Sequence, residues 1–310
     1  MGKATREAYG NALARIGKEN TNIIVLDADL SKSTKTDTFK AVCPERFFNV
    51  GIAEQNLISV GAGLAAAGKI PFVSSFSMFA TGRAFEQIRN AVCYPKLNVK
   101  VCATHAGITV GEDGATHQSL EDISCMRTLP NMTVVVPADE RETEAVIEWA
   151  ASYNGPVYVR LGRAGVDDVT TEGYSFVPGK STILVDGSDV TIIACGALVG
   201  SAVEASKTLS ESNISARVIN MASIKPIDAE AIIKAAAETG AIVTAEEHNI
   251  IGGLGSAVSE VVVSNKPVPM EFVGVQDTFG ESGTPKELMA KYGLTANDIV
   301  EAVKRVIARK

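Results

Sequence analysis

The sequence predicts an α/β chain built from two doubly wound, mostly parallel-sheet domains. Short continuous apolar runs, typical of strands covered on both faces, alternate along the chain with segments of helical periodicity. With 310 residues, of which 46% are hydrophobic, the chain is long enough for two domains of ordinary size. Regular alternation of strands and helices is typical of parallel sheets that carry helices on both faces.

The first domain is predicted at residues 1–165. It opens with a helix at 4–16, in which Ala8, Ala12, Leu13 and Ile16 share one side. Further helices are expected after residue 53, from residue 79 through 88 and at 143–151. The strands are predicted at 22–26, 47–50, 71–75, 98–103, 132–136 and 157–161. The run 47–50 is interpreted as the end of a buried strand.

The second domain is predicted at 187–310, after a linker at 166–186 in a stretch rich in Gly, Asp and Thr. Its strands are predicted at 190–194, 216–220, 241–245 and 271–275, and its helices at 201–209, 229–237, 255–263 and 284–309. The segments EEH at 246–248 and GGLG at 252–255 attract notice. A glycine-rich turn into a helix is a weak functional signal, so close packing or an interface role is favoured for them.

Charge and cysteine content exclude several classes of function. The formal net charge is -7 and no basic cluster occurs, so no nucleic-acid partner is expected. Five cysteines without a CxxC pair indicate free thiols, with neither a disulfide framework nor a zinc site. No apolar run is long enough to cross a membrane, and the first ten residues have no apolar signal core. We therefore expect a cytoplasmic protein with no membrane partner.

The stretch FFNVGIAEQNLISVGAGLAAAGK at 47–69 organises the first domain. Gly51 makes a turn after the strand, and Glu54 falls in the first turn of the largely apolar helix that follows. The sequence leaves two interpretations of Glu54 open. It caps a solvated helix end, where a carboxylate interacts favourably with the helix dipole, or it is a functional group on an apolar surface.

Other candidates follow the predicted strands, where open α/β sheets place their ligands. The polar segment 27–33, which contains Asp29 and Ser33, is one, although an ordinary polar loop explains it equally well. Phe76 and Phe79 at i,i+3 offer either a stacking surface or core packing. His105 and His117, two of only three histidines, bracket Asp113 on a glycine-rich loop, a constellation suited to handling protons or binding hydroxyl groups.

Three segments together, FNVGIAEQN, SSFSMF and THAGITVGEDGATHQSLEDI, closely resemble the pyrimidine-binding domain of transketolases in order and spacing. The second domain resembles the C-terminal domain of the same family, so the likeness covers essentially the whole chain. The GEDG segment alone is neither a dinucleotide nor a P-loop fingerprint. The resemblance implies that the cofactor is thiamine diphosphate.

The resemblance assigns cofactor roles in the first domain. A glutamate at the position of Glu54 bonds the ring nitrogen of the aminopyrimidine, which favours the imino tautomer and formation of the thiazolium ylid that attacks the substrate. Phe79 is expected to stack on the aminopyrimidine with Phe76 beside it, and Asp29 matches a cofactor-side residue. Gly82 replaces a tyrosine that often flanks the ring, which implies a more open stacking site.

The resemblance also implies a sugar phosphate substrate. His105 and His117 are expected to contact the sugar near the scissile bond, and Asp113 to bind a hydroxyl. The substrate phosphate is expected to be held by Arg6, Ser33 and Arg163, since an arginine fork suits a phosphate dianion. With these roles the enzyme would transfer a two-carbon ketol unit from a ketose to an aldose, with Glu54, His105 and His117 as its catalytic residues.

One family feature is absent from the sequence. The diphosphate-binding domain of transketolases carries a Gly-Asp-Gly followed by an asparagine, which hold Mg²⁺ and the diphosphate, and no Gly-Asp-Gly occurs here. The chain thus resembles the C-terminal subunit of a split transketolase, with no metal ligands of its own. The resemblance implies an N-terminal partner subunit that binds Mg²⁺, in an α2β2 heterotetramer.

Three alternatives remain at this point. A 1-deoxyxylulose-5-phosphate synthase shares GIAEQ and GEDG but tends to have an acidic residue at the position of His105, so His105 favours ketol transfer. The β-subunit of a 2-oxo acid dehydrogenase has a similar length and domain order but is not expected to carry GEDGATHQ. From a different class, the chain could be a catalytically inert scaffolding homologue, which the intact Glu54, His105, Asp113 and His117 argue against.

Overall fold

The computed structural model describes residues 2–310, which form two β-sheets flanked by helices. The strands in chain order are β1 (Ile23–Asp27), β2 (Phe47–Asn49), β3 (Ile70–Ser74), β4 (Lys100–Ala103), β5 (Thr133–Val135), β6 (Val157–Arg160), β7 (Thr182–Val185), β8 (Val190–Ala194), β9 (Ala216–Asn220), β10 (Ser223–Lys225), β11 (Ile242–Asn249) and β12 (Met270–Val275).

The α-helices, again in chain order, are α1 (Thr5–Glu19), α2 (Ser31–Thr34), α3 (Asp37–Val42), α4 (Glu54–Ala66), α5 (Phe85–Gln87), α6 (Asp122–Thr128), α7 (Glu140–Ser152), α8 (Leu198–Glu211), α9 (Ala229–Thr239), α10 (Leu254–Asn265), α11 (Pro285–Lys291) and α12 (Ala296–Ile307). Two π-helical segments, Met78–Arg83 and Ile88–Cys93, flank α5, and 3₁₀ turns cover Pro44–Arg46 and Ile108–Asp113. Along residues 2–310, none of the helices has the length and apolar character needed to span a bilayer.

The fold class predicted from the sequence is confirmed. The first sheet has the order β10-β5-β6-β4-β3-β1-β2, and all of its pairings are parallel except that of β10 with β5. The second sheet has the order β12-β11-β8-β9-β7 and is parallel except for β7 against β9. Its central strand β8 and the first-sheet strands β1, β4 and β6 are buried along their whole length.

Two strands lie at positions in the sheets that the sequence pattern did not predict. Ser223–Lys225 comes from the second half of the chain but pairs antiparallel with β5 of the first sheet. Thr182–Val185, within the predicted linker 166–186, is the edge strand of the second sheet. Both are short edge strands, whose partners are not indicated by local hydrophobicity.

Several predicted elements differ from those observed. The run 47–50 was expected to be a buried strand, but β2 is an edge strand in which Phe47 is buried and Phe48 is 48% exposed. The single helix expected at 284–309 is two helices, because Gly293 has φ +69° and Thr295 begins α12 with a capping box to Asp298. The helix expected through residues 79–88 alternates between π and α geometry.

Candidate active site

The residues selected from the sequence follow neighbouring strands at one edge of the first sheet. Phe76 comes after β3, His105 after β4 and Arg163 after β6, while Asp29 follows β1 and Glu54 follows β2. These strands are adjacent and mutually parallel, so their carboxyl ends lie together. This is the edge at which open α/β sheets bind ligands.

Glu54 is the first residue of α4 and is only 1% exposed. The solvated helix cap that the sequence left open is therefore wrong. One oxygen, Oε2, accepts a hydrogen bond of 2.6 Å from Nη1 of Arg83, whose side chain is 49% exposed. A buried carboxylate needs such a partner, because removing an unpaired charge from water is costly.

Phe76, Phe79, His105 and His117 form one aromatic cluster. The ring of Phe76 stacks on His105 with centroids 3.8 Å apart and on Phe79 with centroids 6.1 Å apart. His117 meets the edge of Phe79 at 5.2 Å. The guanidinium of Arg83 lies 4.9 Å from the centroid of Phe79, so the cluster is continuous with the Glu54 ion pair.

His105 is held in one orientation and one charge state. Arg6 Nη1 lies 3.3 Å from His105 Nε2, and since a guanidinium can only donate, Nε2 accepts. The ring proton then resides on Nδ1, which donates to Thr104 Oγ1 at 2.9 Å. Burial lowers the pKa of His105 from 6.5 to about 3, and the positive charges of Arg6 and Arg163 act in the same direction. The imidazole is therefore neutral near pH 7.

Two arginines and a serine meet beside His105. Arg6 Nη1 donates to the carbonyl oxygen of Ser33 at 3.0 Å, and its buried Nε has no hydrogen-bond partner in the part of the chain that the structure describes. Burial lowers the pKa of Arg6, an effect that the charge of Arg163 reinforces. Arg163 Nη1 lies 3.2 Å from Glu112 Oε2 and 3.8 Å from Asp113 Oδ2. An anion would relieve the repulsion between the two guanidinium groups.

Asp29 lies at the exposed end of β1 with φ +66°. Its side chain accepts a hydrogen bond of 2.8 Å from Nδ2 of Asn49, and its backbone N–H donates to Oδ1 of the same residue. Neighbouring Asp27 is buried and accepts from the Thr34 and Thr36 hydroxyls, so it fixes the turn rather than facing a ligand. The two aspartates of the segment thus have different environments.

The described residues fit the aminopyrimidine end of thiamine diphosphate. Glu54 supplies a buried carboxylate, and the partly exposed ring of Phe79 supplies a flat face. The terminal methyl of Met78 lies 2.7 Å from where a Cβ on Gly82 would be, so Met78 occupies part of the space that the missing tyrosine was expected to open. Within residues 2–310, no group of three or more His, Cys, Asp or Glu side chains could hold a metal ion.

Comparison with known families assigns both halves of the chain. The family described as "Transketolase, pyrimidine binding domain" matches residues 1–167, and the family described as "Transketolase, C-terminal domain" matches residues 179–299. The chain belongs to the transketolase family.

Proteins of similar length resemble this transketolase chain over nearly their whole sequence. It is 53% identical over 304 residues to a protein of Methanocaldococcus jannaschii provisionally named a transketolase C-terminal section, covering 97% of this chain and 95% of that protein. It is 43% identical over 305 residues to the 6-deoxy-6-sulfo-D-fructose transketolase subunit of a Clostridium species, covering 98% and 95%. Relatives of about twice the length include 1-deoxy-D-xylulose-5-phosphate synthases.

A solved structure matches the whole transketolase chain. The structure titled "Split gene transketolase, inactive beta4 tetramer" is 56% identical, covers 99% of each chain and has a TM-score of 0.92. The sequence-based identification of a split transketolase subunit is therefore confirmed, as is the assignment to a thiamine-diphosphate-dependent family.

Sequence reasoning missed polar residues that lie near the candidate site. Arg83, the partner of Glu54, lies in a π-helical segment that has no simple periodicity. A buried chain of hydrogen bonds of 2.6–2.9 Å, which begins between Phe76 and Phe79 in the sequence, joins Ser77, Tyr158, Asp122 and Arg160. A tyrosine and an arginine inside the apolar run 157–161 were the available signal, since buried polar groups require partners.

The glycines at 252–255 pack closely, as the sequence analysis favoured. A Cβ on Gly253 would lie 2.0 Å from Glu246 Oε2, and one on Gly255 would lie 2.4 Å from Phe272. Glu246 accepts hydrogen bonds from the backbone N–H groups of Leu254 and Gly255 at 2.7 and 2.8 Å. These residues fix the beginning of α10.

A separate cavity of about 460 Å³ lies between the two domains. Its walls include Thr109, Arg160 and Glu247, but Glu54, Phe79 and His105 do not contribute to it. In the aromatic cluster, Phe76 and His105 are buried, whereas Phe79 and His117 are partly exposed.

Proposed function

We propose that this chain is the subunit of a transketolase that supplies the aminopyrimidine side of the cofactor site. The enzyme transfers a two-carbon ketol unit from a ketose or its phosphate to an aldose or its phosphate. The observation that carries the proposal is the buried carboxylate of Glu54, joined through Arg83 to a partly exposed aromatic face and two histidines.

Thiamine diphosphate, when bound, supplies the nucleophilic carbon that attacks the ketose. Glu54 would exchange a proton with the aminopyrimidine ring nitrogen through its carboxyl group. Arg83 already bonds Oε2, so the ring nitrogen either uses Oε1 or displaces the half-exposed guanidinium. Phe79 would provide the stacking face, with Phe76 holding it in place.

His105 and His117 would act on the sugar. A neutral His105 with its proton on Nδ1 presents an accepting Nε2, which Arg6 occupies here and a sugar hydroxyl could use. Asp113 would bind a second hydroxyl. Arg6, whose Nε has no hydrogen-bond partner among residues 2–310, would bind the anionic end of the substrate together with Ser33 and Arg163.

The same chemistry suits more than one anion. Related proteins are named for different substrates, a 6-deoxy-6-sulfo-D-fructose in one case and apulose 4-phosphate in another. Both sulfonate and phosphate are oxyanions that a guanidinium fork can hold. For this chain we propose sugar phosphates.

The diphosphate and Mg²⁺ would be held by a partner. This proposal rests on the missing Gly-Asp-Gly and on the lack of a candidate metal cluster in residues 2–310. A cofactor with a flat ring and a charged tail must be fixed at both ends before its reactive carbon is positioned. We propose an N-terminal transketolase subunit as the partner and an α2β2 heterotetramer as the assembly, since soluble oligomers usually close by two-fold symmetry.

The surface of α4 is a candidate part of that assembly. Gly61 is buried and packs against Val73, which would lie 2.7 Å from a Cβ at that position. Gly63, Ala66 and Ala67 are exposed. Ile52, just before the helix, is 78% exposed. Small and apolar residues of this kind suit a contact with a second chain.

The five free thiols fit a reducing compartment, and we propose the cytoplasm.

Calorimetric titration with thiamine diphosphate and Mg²⁺ tests the half-site. The chain by itself should bind weakly and show no ketol transfer, and it should gain both properties on addition of a subunit bearing Gly-Asp-Gly. The related split-gene structure is titled as an inactive assembly of β chains, which supports this expectation. Tight binding with turnover by the chain alone would contradict the proposal.

Two assays separate the alternatives. A 1-deoxyxylulose-5-phosphate synthase would condense pyruvate with glyceraldehyde 3-phosphate, whereas a histidine at position 105, where such synthases tend to have an acidic residue, favours ketol transfer. An inert scaffold would bind the partner without turning over any ketose. A ketol donor consumed by the two-chain complex, with pyruvate inactive, is the result we expect.

A further inference from the structure

The loop that joins the two histidines lies directly against the second domain. Three of its glycines have positive φ, and a Cβ added at any of them would closely approach a residue of the second domain. A Cβ on Gly107 would lie 2.3 Å from Glu247 Oε1, and one on Gly114 would lie 2.6 Å from Ser282 Oγ. At Gly111 it would meet Pro285 at 3.3 Å. We call residues 105–118 the substrate loop.

Glu247 makes the deepest of these contacts. It lies in β11, is 4% exposed, and its Oε1 accepts a hydrogen bond of 2.6 Å from the backbone N–H of Thr109. Its own carbonyl oxygen accepts from Arg160 Nη2 at 2.8 Å. Burial raises the pKa of Glu247, and the charge of Arg160 opposes that rise. A carboxylate buried at this depth is held in place by these bonds.

A second bond set reinforces the same contact. Nε2 of Gln118, at the end of the substrate loop, donates to the carbonyl oxygens of Ile108 and Gly111 and to that of Glu281 in the second domain. The last of these bonds measures 2.9 Å. Glu247 bonds the backbone midway between His105 and Asp113, so its displacement would shift both.

We infer that Glu247 is a positioning residue through which the second domain holds the substrate loop in its working conformation. The inference rests on the proposed transketolase function, because the loop is assigned to substrate there. It gives the second domain a role in the reaction although none of that domain's residues is proposed to touch substrate.

Glu246 provides a matched control. It is the preceding residue of the same strand, is 1% exposed, and also accepts backbone N–H bonds, but from α10 instead of the substrate loop. Three variants of Glu247 isolate its bond to Thr109. Glu247→Leu keeps the volume without an acceptor, Glu247→Asp keeps the charge on a shorter arm, and Glu247→Gln keeps an acceptor oxygen at full length.

Amide hydrogen exchange of the full chain is the first measurement. Glu247→Leu and Glu247→Asp should raise the exchange rate in 107–113 at least tenfold, whereas Glu247→Gln and Glu246→Gln should leave that segment unchanged. Of the two disruptive variants, Glu247→Asp alone suffices if Glu247→Leu does not fold. Unchanged protection in Glu247→Asp, or equal loss in Glu246→Gln, would overturn the inference. This measurement does not depend on ketol transfer.

The second measurement is the kinetics of the two-chain enzyme. Glu247→Asp should lower kcat/KM about tenfold with no change in cofactor affinity, and Glu247→Gln should recover most of that loss. In a His105→Ala background the effect of Glu247→Asp should shrink, because both act through one loop. Full additivity would overturn the inference. If the wild-type complex lacks ketol transfer altogether, the proposed function fails while hydrogen exchange still decides the role of Glu247.

Discussion

The carboxyl edges of the two sheets differ in what their polar groups bond. At the first, Phe79 and His117 are partly exposed, and the partner of Glu54 is a half-exposed arginine. At the second, the carboxylates of two adjacent β11 residues bond backbone N–H groups of the protein itself, Glu246 on α10 and Glu247 on the substrate loop. Two sheets of one architecture thus differ in what the carboxylates at their carboxyl ends contact, so the fold alone does not locate the site.

Glu54 and Glu246 allow the most direct comparison, because both are buried carboxylates beside a helix N-terminus. Glu54 is the first residue of α4, and Glu246 accepts hydrogen bonds from the first two residues of α10. Glu54→Gln should lower turnover of the two-chain enzyme by roughly a thousandfold, since an amide cannot exchange a proton with the ring nitrogen. Glu246→Gln should leave kcat unchanged. Exchange of the proton on the reactive cofactor carbon for deuterium measures the step directly.

An unchanged exchange rate in Glu54→Gln would show that Glu54 has no catalytic role and is a structural carboxylate, as Glu246 is. Glu54→Gln should keep the fold and the affinity for sugar, and circular dichroism together with substrate binding is the check on this.

His105, Asp113 and His117 test whether the substrate loop acts on sugar rather than on cofactor. Alanine at each position should lower kcat/KM by about a hundredfold, the usual scale for a group that handles a proton. The dissociation constant of thiamine diphosphate should stay within error of the wild-type value. A variant with lost cofactor binding and normal sugar kinetics would reverse the roles.

Arg163 tests the anion end of the first edge. Arg163→Ala should lower kcat/KM about tenfold or more for phosphorylated sugars, because a hydrogen bond between charged groups contributes about 1.5–3 kcal/mol. Unphosphorylated sugars should be affected far less. Equal losses for both would contradict a phosphate site, and Arg217, whose ion pairs lie in the second domain, is a matched control.

Acid should lower the free energy of unfolding through His105. Its pKa is about 3 in the folded chain and 6.5 in the unfolded chain, so the unfolded chain binds more protons between these values. Stability is then complete above pH 6.5 and falls as the pH is lowered toward 3, by at most about 1.4 kcal/mol per pH unit. His105→Asn should lose less in melting temperature between pH 7 and pH 4.5 than the wild type does.

The sequence predicted the alternation of strands and helices and the strand ends that carry the site, because both follow from local periodicity. It could not give the partner of Glu54, since Arg83 is brought there by an irregular helix 29 residues further on. The shifted pKa of His105 depends on burial and on Arg6 and Arg163, which are distant in sequence. The break between α11 and α12 at 292–295 was easier to predict from the sequence, because YGLT contains a glycine and a threonine that can cap a helix.

The edge strand Ser223–Lys225 connects the second half of the chain to the first sheet. Besides its pairing with β5, Lys225 Nζ donates to the carbonyl oxygens of Arg127 and Leu129 at 2.8 and 2.6 Å. A protease that cut once within 166–186 would leave two fragments still joined by this strand. Residues 1–165 expressed alone would instead expose the unpaired edge of β5, which is a template for aggregation.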